Sequence, residues 1–150
     1  MELILWRHAD AEDGLLDAER KLTAKGIKQA EHMATWLRKR LPEDAVVLAS
    51  PAQRAQQTAR ALTGSFETRP ALGIAATPQA VLKAADWPRG AGAVVVVGHQ
   101  PTLGQVAALL LGGSAIEWSI KKGAVWWFTH RARHGKSETL LRAVVPPEFL

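Results

Sequence analysis

A chain of 150 residues, 47% apolar and 22% charged, has the composition of one folded domain, long enough to bury about two-thirds of its unfolded-chain surface. The absence of cysteine excludes disulfides, thiolate catalysis and Cys-ligated metal centres. Its 19 basic against 14 acidic residues are spread along the chain. That pattern describes a solvated surface, at most able to steer an anionic substrate, rather than a nucleic-acid-binding stripe.

No apolar run approaches the ~18 residues of a membrane span, and no cationic leader precedes the first apolar stretch. The expectation is therefore a cytoplasmic protein with no membrane partner.

Leu3 to Trp6 form a short apolar run, as expected of a central strand covered on both faces. It passes directly into Arg7, His8, Ala9 and Asp10. Ala11 to Arg20 is polar and acidic and reads as a loop. Thr23 is placed to cap a helix in which Ile27, Ala30, Ala34, Leu37 and Leu41 recur at helical spacing, ending at Pro42. Ala45 to Ala49 predicts a second buried strand. Ser50 as N-cap, Pro51 at the first helical position and Gln53 as the partner of a capping box predict a helix from Pro51 to about Leu62.

A weak extended segment follows at Phe66 to Arg69, then a short helix from Thr77-Pro78. Ala93 to Val97 is the plainest strand in the chain. Pro101 opens a helix through Leu111, stopped by Gly112-Gly113. Glu117 to Ile120, Ala124 to Thr129 and Glu138 to Val145 then read as strands, with turns at Lys122-Gly123 and His134-Gly135. Strands alternating with helices predict a three-layer α/β/α sandwich, with a mostly parallel central sheet and an antiparallel C-terminal edge.

Three of these strands end on a cationic or imidazole group. The first delivers Arg7 and His8, the second Arg54 in the opening turns of its helix, and the valine strand His99. In open α/β sheets ligands bind at the carboxyl ends of the strands, so parallel neighbours would gather these groups at one edge. Guanidiniums, imidazoles and a helix N-terminus around one point suit a dianion such as a phosphoryl group. An Arg-His pair alone is equally explained by a surface ion pair and a satisfied imidazole. The order of the blocks carries the reading.

Those blocks are Leu5-Trp6-Arg7-His8, then Arg20-Lys21-Leu22-Thr23 leading to Gly26, then Ser50-Pro51-Ala52-Gln53-Arg54-Ala55-Gln56-Gln57-Thr58-Ala59, then Gly98-His99-Gln100-Pro101. In this order the sequence resembles the histidine phosphatase superfamily, with its phosphoglycerate-mutase-like fold, and most of all the small phosphohistidine phosphatases of the SixA type. The resemblance implies that His8 attacks phosphorus and becomes a phosphohistidine. It also implies that Arg7, Arg54 and His99 hold the phosphoryl oxygens, with no metal or other cofactor. Arg20 is either a phosphate or substrate contact or a loop ion pair.

The sequence departs from the family at two places. Ala9 stands where a Gly usually follows the nucleophilic His, and a modest adjustment is expected there. Gln100 stands where larger relatives carry an acid after the second His. Asp10, Glu12 and Asp17 are near enough to serve as general acid, but no motif selects among them.

Arg133-His134-Gly135 matches the family tripeptide better than Arg7-His8-Ala9, yet lies in a basic turn with none of the later blocks after it, so a hairpin turn is expected. A metal site from His8, Asp10 and His99 is disfavoured by the neighbouring arginines, which supply the charge a metal would. His32 and His130 read as surface residues, and the tryptophans as packing rather than a base-stacking platform. The resulting expectation is a phosphatase of protein phosphohistidine. The alternatives are a phosphatase of a small phosphorylated metabolite or a phosphate-binding module without turnover.

Overall fold

The computed structural model describes residues 1–150. Its elements in chain order are β1 (Glu2–Arg7), α1 (Ala24–Arg38), β2 (Val46–Ala49), α2 (Gln53–Leu62), β3 (Glu67–Thr68), α3 (Pro78–Ala84), β4 (Ala93–Gly98), α4 (Thr102–Gly112), β5 (Val125–Arg133) and β6 (Lys136–Val145). The six strands form one sheet in the order β3-β2-β4-β1-β5-β6. The pairs β3–β2, β2–β4 and β4–β1 are parallel, and β5 and β6 add an antiparallel edge. No helix is long and apolar enough to cross a membrane.

Side-chain alternation divides the central strands between two cores. Leu3, Leu5, Leu48, Val94, Val96 and Phe128 pack against α3 and α4, with Val81, Leu103 and Val106. Ile4, Trp6, Val47, Val95, Val97 and Trp127 pack against α1 and α2, with Met33, Leu37, Ala55 and Ala59. Both faces of the central strands are thus covered, which is why their sequences run continuously apolar. The tryptophans belong to these clusters, wholly or in part.

Register then places the strand ends. Arg7 pairs with Gly98 across β1–β4, so His8 and His99 leave adjacent strands side by side. Ala49 pairs with Val97 across β2–β4, which brings Ser50 next to them. All three leave the carboxyl edge where the strand order reverses, the usual ligand position of an open α/β sheet.

Several expectations are corrected. Thr23 caps α1 by accepting the Gly26 N–H at 3.0 Å, but the inward stripe is Gly26, Ala30, Met33, Ala34 and Leu37, and Ile27 is exposed. Gly26 takes the facing position because a Cβ there would overlap the Asp10 carbonyl, and Ile27 falls about 100° round the helix from it. Helix α1 stops at Arg38, leaving Leu41 beyond it and half-buried.

Helix α2 begins at Gln53 behind Ala52, with no side-chain cap. Ser50 and Pro51 lie ahead of it, and the Ser50 hydroxyl is turned into the site described below. Glu117 to Ile120 is not a strand: β5 and β4 take both edges of β1, and the Trp118 and Ile120 carbonyls accept side-chain bonds from Gln100 and Arg7 instead of a ladder. His130 is half-buried, edge-on to Trp87 at 5.5 Å, whereas His32 is exposed. His134 and Gly135, both at positive φ (51° and 76°), form the two-residue β5–β6 turn of the primed type. That turn lies beyond the Thr129–Glu2 pairing, at the end of the sheet opposite His8.

Candidate active site

Arg7 closes β1 and His8 follows it. The His8 N–H donates to the Gly98 carbonyl at 3.0 Å, and the Gly123 N–H is shared between the Arg7 and His8 carbonyls, both at 3.1 Å. The Ala9 N–H donates to Thr58 Oγ1 at 3.1 Å, and that hydroxyl donates to the Arg54 carbonyl one turn earlier at 2.7 Å. Gln57 Oε1 accepts the Leu22 N–H at 2.7 Å. The threonine and glutamine of the α2 motif therefore clasp the chain on either side of the loop, tying to it the helix that carries Arg54.

Ala9 is fully buried against Leu22 and Ala30 and lacks the positive φ that would favour glycine. The extra methyl thus fills a small apolar contact and leaves the backbone undistorted.

The His8 ring is fixed in one tautomer. Nδ1 lies 2.8 Å from the Ala9 carbonyl, which can only accept, so Nδ1 carries the proton and Nε2 keeps its lone pair. Nε2 faces Arg54, whose Nε–H approaches it at 3.3 Å. Burial lowers the His8 pKa from 6.5 to about 3; the His99, Arg54 and Arg7 neighbours act in the same direction, against the Ala9 carbonyl bond. His8 is therefore a neutral imidazole at physiological pH.

His99 sits beside it, with ring centroids 5.2 Å apart and Nε2 2.7 Å from Ser50 Oγ. Burial, followed by the Arg54 charge, lowers its pKa from 6.5 to about 4, with Asp17 partly opposing.

Arg54 is buried, donating from Nη1 to the Asp17 carbonyl at 2.6 Å and from Nη2 to Asp17 Oδ2 at 3.0 Å. The other Asp17 oxygen accepts Arg20 Nε at 2.9 Å. Arg7 donates from Nη1 to the Ile120 carbonyl at 2.7 Å. Two buried side-chain nitrogens are left without a partner, Arg7 Nε and His99 Nδ1, and both belong to residues of this site. Buried polar groups are rarely left unpaired, so two in one site mark a place built for a further partner.

Arg7, His8, Arg54 and His99 are thus brought together as expected. Arg20 joins through Asp17, without a contact to either histidine. Asp10 does not join: its carboxylate accepts Thr23 Oγ1 at 2.8 Å and Lys122 Nζ at 3.0 Å. The Thr23 bond, then Lys122, holds the Asp10 carboxyl below its usual range. Arg54, then Arg20, does the same for Asp17, so both are carboxylates at neutral pH.

Gln100 is also committed, donating to the Trp118 carbonyl at 2.7 Å and accepting the Gly104 N–H at 2.8 Å. The segment expected as a strand over 117–120 instead uses its carbonyls on Gln100 and Arg7. Sequence reasoning missed Ser50 as a partner of His99, because its placement before Pro51 explained it as a cap.

A buried neutral imidazole whose Nε2 lone pair faces a guanidinium is the equipment for transferring a phosphoryl group, and comparisons with known proteins agree. Residues 3–73 match the profile of the histidine phosphatase superfamily (branch 1), a span holding Arg7, His8, Arg20 and Arg54.

The chain is 34% identical over 123 residues to the phosphohistidine phosphatase SixA of Escherichia coli K12, covering 75% of this chain and 76% of that protein. This protein belongs to the histidine phosphatase superfamily. Its fold matches the protein histidine phosphatase SixA complexed with tungstate, at 27% identity and a TM-score of 0.82 over 99% of both chains. It also matches the α-ribazole phosphatase of Shigella flexneri, at 22% identity and a TM-score of 0.67 over 98% and 97% of the two chains, a likeness of fold alone.

Proposed function

We propose that this protein is a metal-independent phosphatase that acts through a covalent phosphohistidine on His8, with protein phosphohistidine as its substrate. The observation that carries the reading is the His8 tautomer: Nδ1–H is given to the Ala9 carbonyl at 2.8 Å, which leaves the Nε2 lone pair facing Arg54.

In the first step Nε2 attacks phosphorus. The N–P bond forms as the bond to the leaving group breaks, and the leaving group departs with the bonding pair and takes a proton. Arg7, Arg54 and His99 stabilise the charge on the equatorial oxygens. In the second step water attacks the phospho-His8, a proton is lost, and inorganic phosphate and neutral His8 are released.

The similarity to SixA supports the substrate class. So does the acid–base chemistry. Asp10 and Asp17 are ion-paired carboxylates, and the Gln100 amide is committed elsewhere. A phosphohistidine leaving group is an imidazole, which needs a proton donor less than an alkoxide does. The segments that border the site, among them Ala11 to Lys21 with Asp17 on Arg54, are short loops, which suits a bulky phosphoprotein.

The test is a rapid quench into alkali, which preserves phosphohistidine, after mixing with a phosphohistidine-bearing protein, followed by intact-mass measurement. A transient one-phosphate adduct in the wild type, absent in His8→Ala, together with released phosphate, is the expected result. Tungstate binding without adduct or phosphate release would show a binding pocket that does not turn over.

The fold likeness to an α-ribazole phosphatase favours one second reading, a small phosphate ester as substrate. A Glu12→Gln variant, at the one of the three acidic candidates whose carboxylate is in no ion pair, separates the two. Large losses confined to O-phosphate esters are expected if N–P cleavage dispenses with the acid; equal losses on both substrate types would contradict that.

A further inference from the structure

Ser50 is fully buried. Its Oγ accepts the Ala52 N–H at 3.2 Å and lies 2.7 Å from His99 Nε2. Two assignments of the hydrogens are open, and they are not equally satisfied.

If His99 carries its proton on Nε2, that N–H donates to Ser50. The hydroxyl is then approached by two donors, its own proton has no acceptor, and His99 Nδ1 is a lone pair with no donor. That leaves two buried polar groups unsatisfied, at ~1–3 kcal/mol each. If Ser50 donates to a bare Nε2, every bond of the hydroxyl is made. The single remaining orphan is an N–H at Nδ1 of His99.

We infer that Ser50 is a positioning residue that holds His99 in the Nδ1–H tautomer, so that this ring presents a donor to a phosphoryl oxygen. The inference rests on the phosphatase reading for its purpose, but not for the hydrogen assignment. A neutral imidazole has one N–H, and burial keeps His99 neutral, so the choice of nitrogen decides whether His99 attracts or repels an anion there.

The other unpartnered buried nitrogen of the site residues, Arg7 Nε, is a donor as well. His8 and His99 thereby share a tautomer for opposite uses. His8 hides its N–H on the Ala9 carbonyl and offers a lone pair at Nε2. His99 hides its lone pair on Ser50 and offers an N–H at Nδ1. A free histidine side chain favours the other tautomer, so each ring needs its partner.

The experiment is a long-range ¹⁵N–¹H spectrum of ¹⁵N-histidine-labelled protein near pH 7, with tungstate binding by calorimetry. In the wild type, His99 Nδ1 is expected to be pyrrole-type and Nε2 pyridine-type. Ser50→Ala is expected to shift the ring toward the reverse pattern and weaken tungstate binding about tenfold or more, the loss of one charge-assisted bond. Ser50→Thr, which keeps the hydroxyl, should retain the wild-type pattern and more of the affinity.

A wild-type His99 protonated on Nε2 overturns the inference without any variant. So does a Ser50→Ala protein whose tautomer is unchanged, or whose tautomer reverses with no loss of tungstate affinity.

Should Ser50→Ala fail to fold, His99→Asn and His99→Gln replace it, since an Asn amide lies near Nδ1 and a Gln amide near Nε2. Asn is expected to bind tungstate more tightly than Gln, and the opposite order would overturn the assignment. A wild type in the expected tautomer that binds no tungstate would overturn the phosphatase reading, and with it the purpose given to the proton.

Discussion

At the residue scale the site depends on where single protons and charges sit. Arg54 has every polar nitrogen committed: Nε to His8, Nη1 to the Asp17 carbonyl and Nη2 to its carboxylate. Three bonds on a planar fork fix its orientation in a way an ammonium on a flexible stem does not reproduce. Arg54→Ala is therefore expected to lower kcat/KM by about 10²–10³-fold, the usual cost of removing a donor to developing charge. Arg54→Lys should recover only a small part of it. Steady-state rates on a phosphohistidine protein check both, and full recovery by lysine would show that charge alone matters. Of the four residues the sequence singles out most strongly, Arg7, His8, Arg54 and His99, all meet: three close or directly follow a strand whose apolar run identifies it, and Arg54 opens the helix after such a strand. Arg20 lies in a loop, and no periodicity could say that it reaches the pocket through Asp17.

At the element scale, close approaches decide how the loop after β1 is held. Helix α1 runs so near the chain leaving β1 that Gly26 has no room for a side chain against the Asp10 carbonyl. The Asp10 carboxylate and carbonyl both engage Thr23 at the same helix start, and Lys122 pins the carboxylate from the other side. Gly26→Ala is expected to push these segments apart and cost about 1–3 kcal/mol, read as a lower urea midpoint. An unchanged midpoint would mean that the helix can shift without cost.

The errors of sequence reading fall at this scale too. Ser50, Pro51 and Gln53 satisfy the rules of a helix start, yet α2 begins at Gln53 without a side-chain cap, since the serine hydroxyl finds His99 instead. Trp118 and Ile120 look strand-like by alternation, yet their carbonyls serve Gln100 and Arg7.

At the scale of the whole molecule, two buried neutral histidines tie stability to pH. Native pKa values of about 3 for His8 and about 4 for His99 lie below the unfolded 6.5. Between those values the unfolded chain binds protons that the native one does not. The stability is fully present above pH 6.5 and is lost as pH falls toward 4, at up to about 1.4 kcal/mol per pH unit for each ring. Urea unfolding should therefore lose on the order of 2–4 kcal/mol between pH 7 and pH 5. His99→Asn should reduce that slope, and a wild-type stability flat over the interval would contradict the burial of the two rings.

The sequence by itself determined the buried strands β1, β2 and β4, the layers and the groups at or just beyond those strand ends, because continuous apolar runs and their polar exits are local signals. Only the tertiary structure decided that β4 lies between β1 and β2. That order sets His99 beside His8 and gives it the Ser50 hydroxyl as a partner, while Asp10 and Gln100 are committed elsewhere. Those outcomes follow from register and from competition for hydrogen bonds between residues far apart in the chain, which no local pattern encodes.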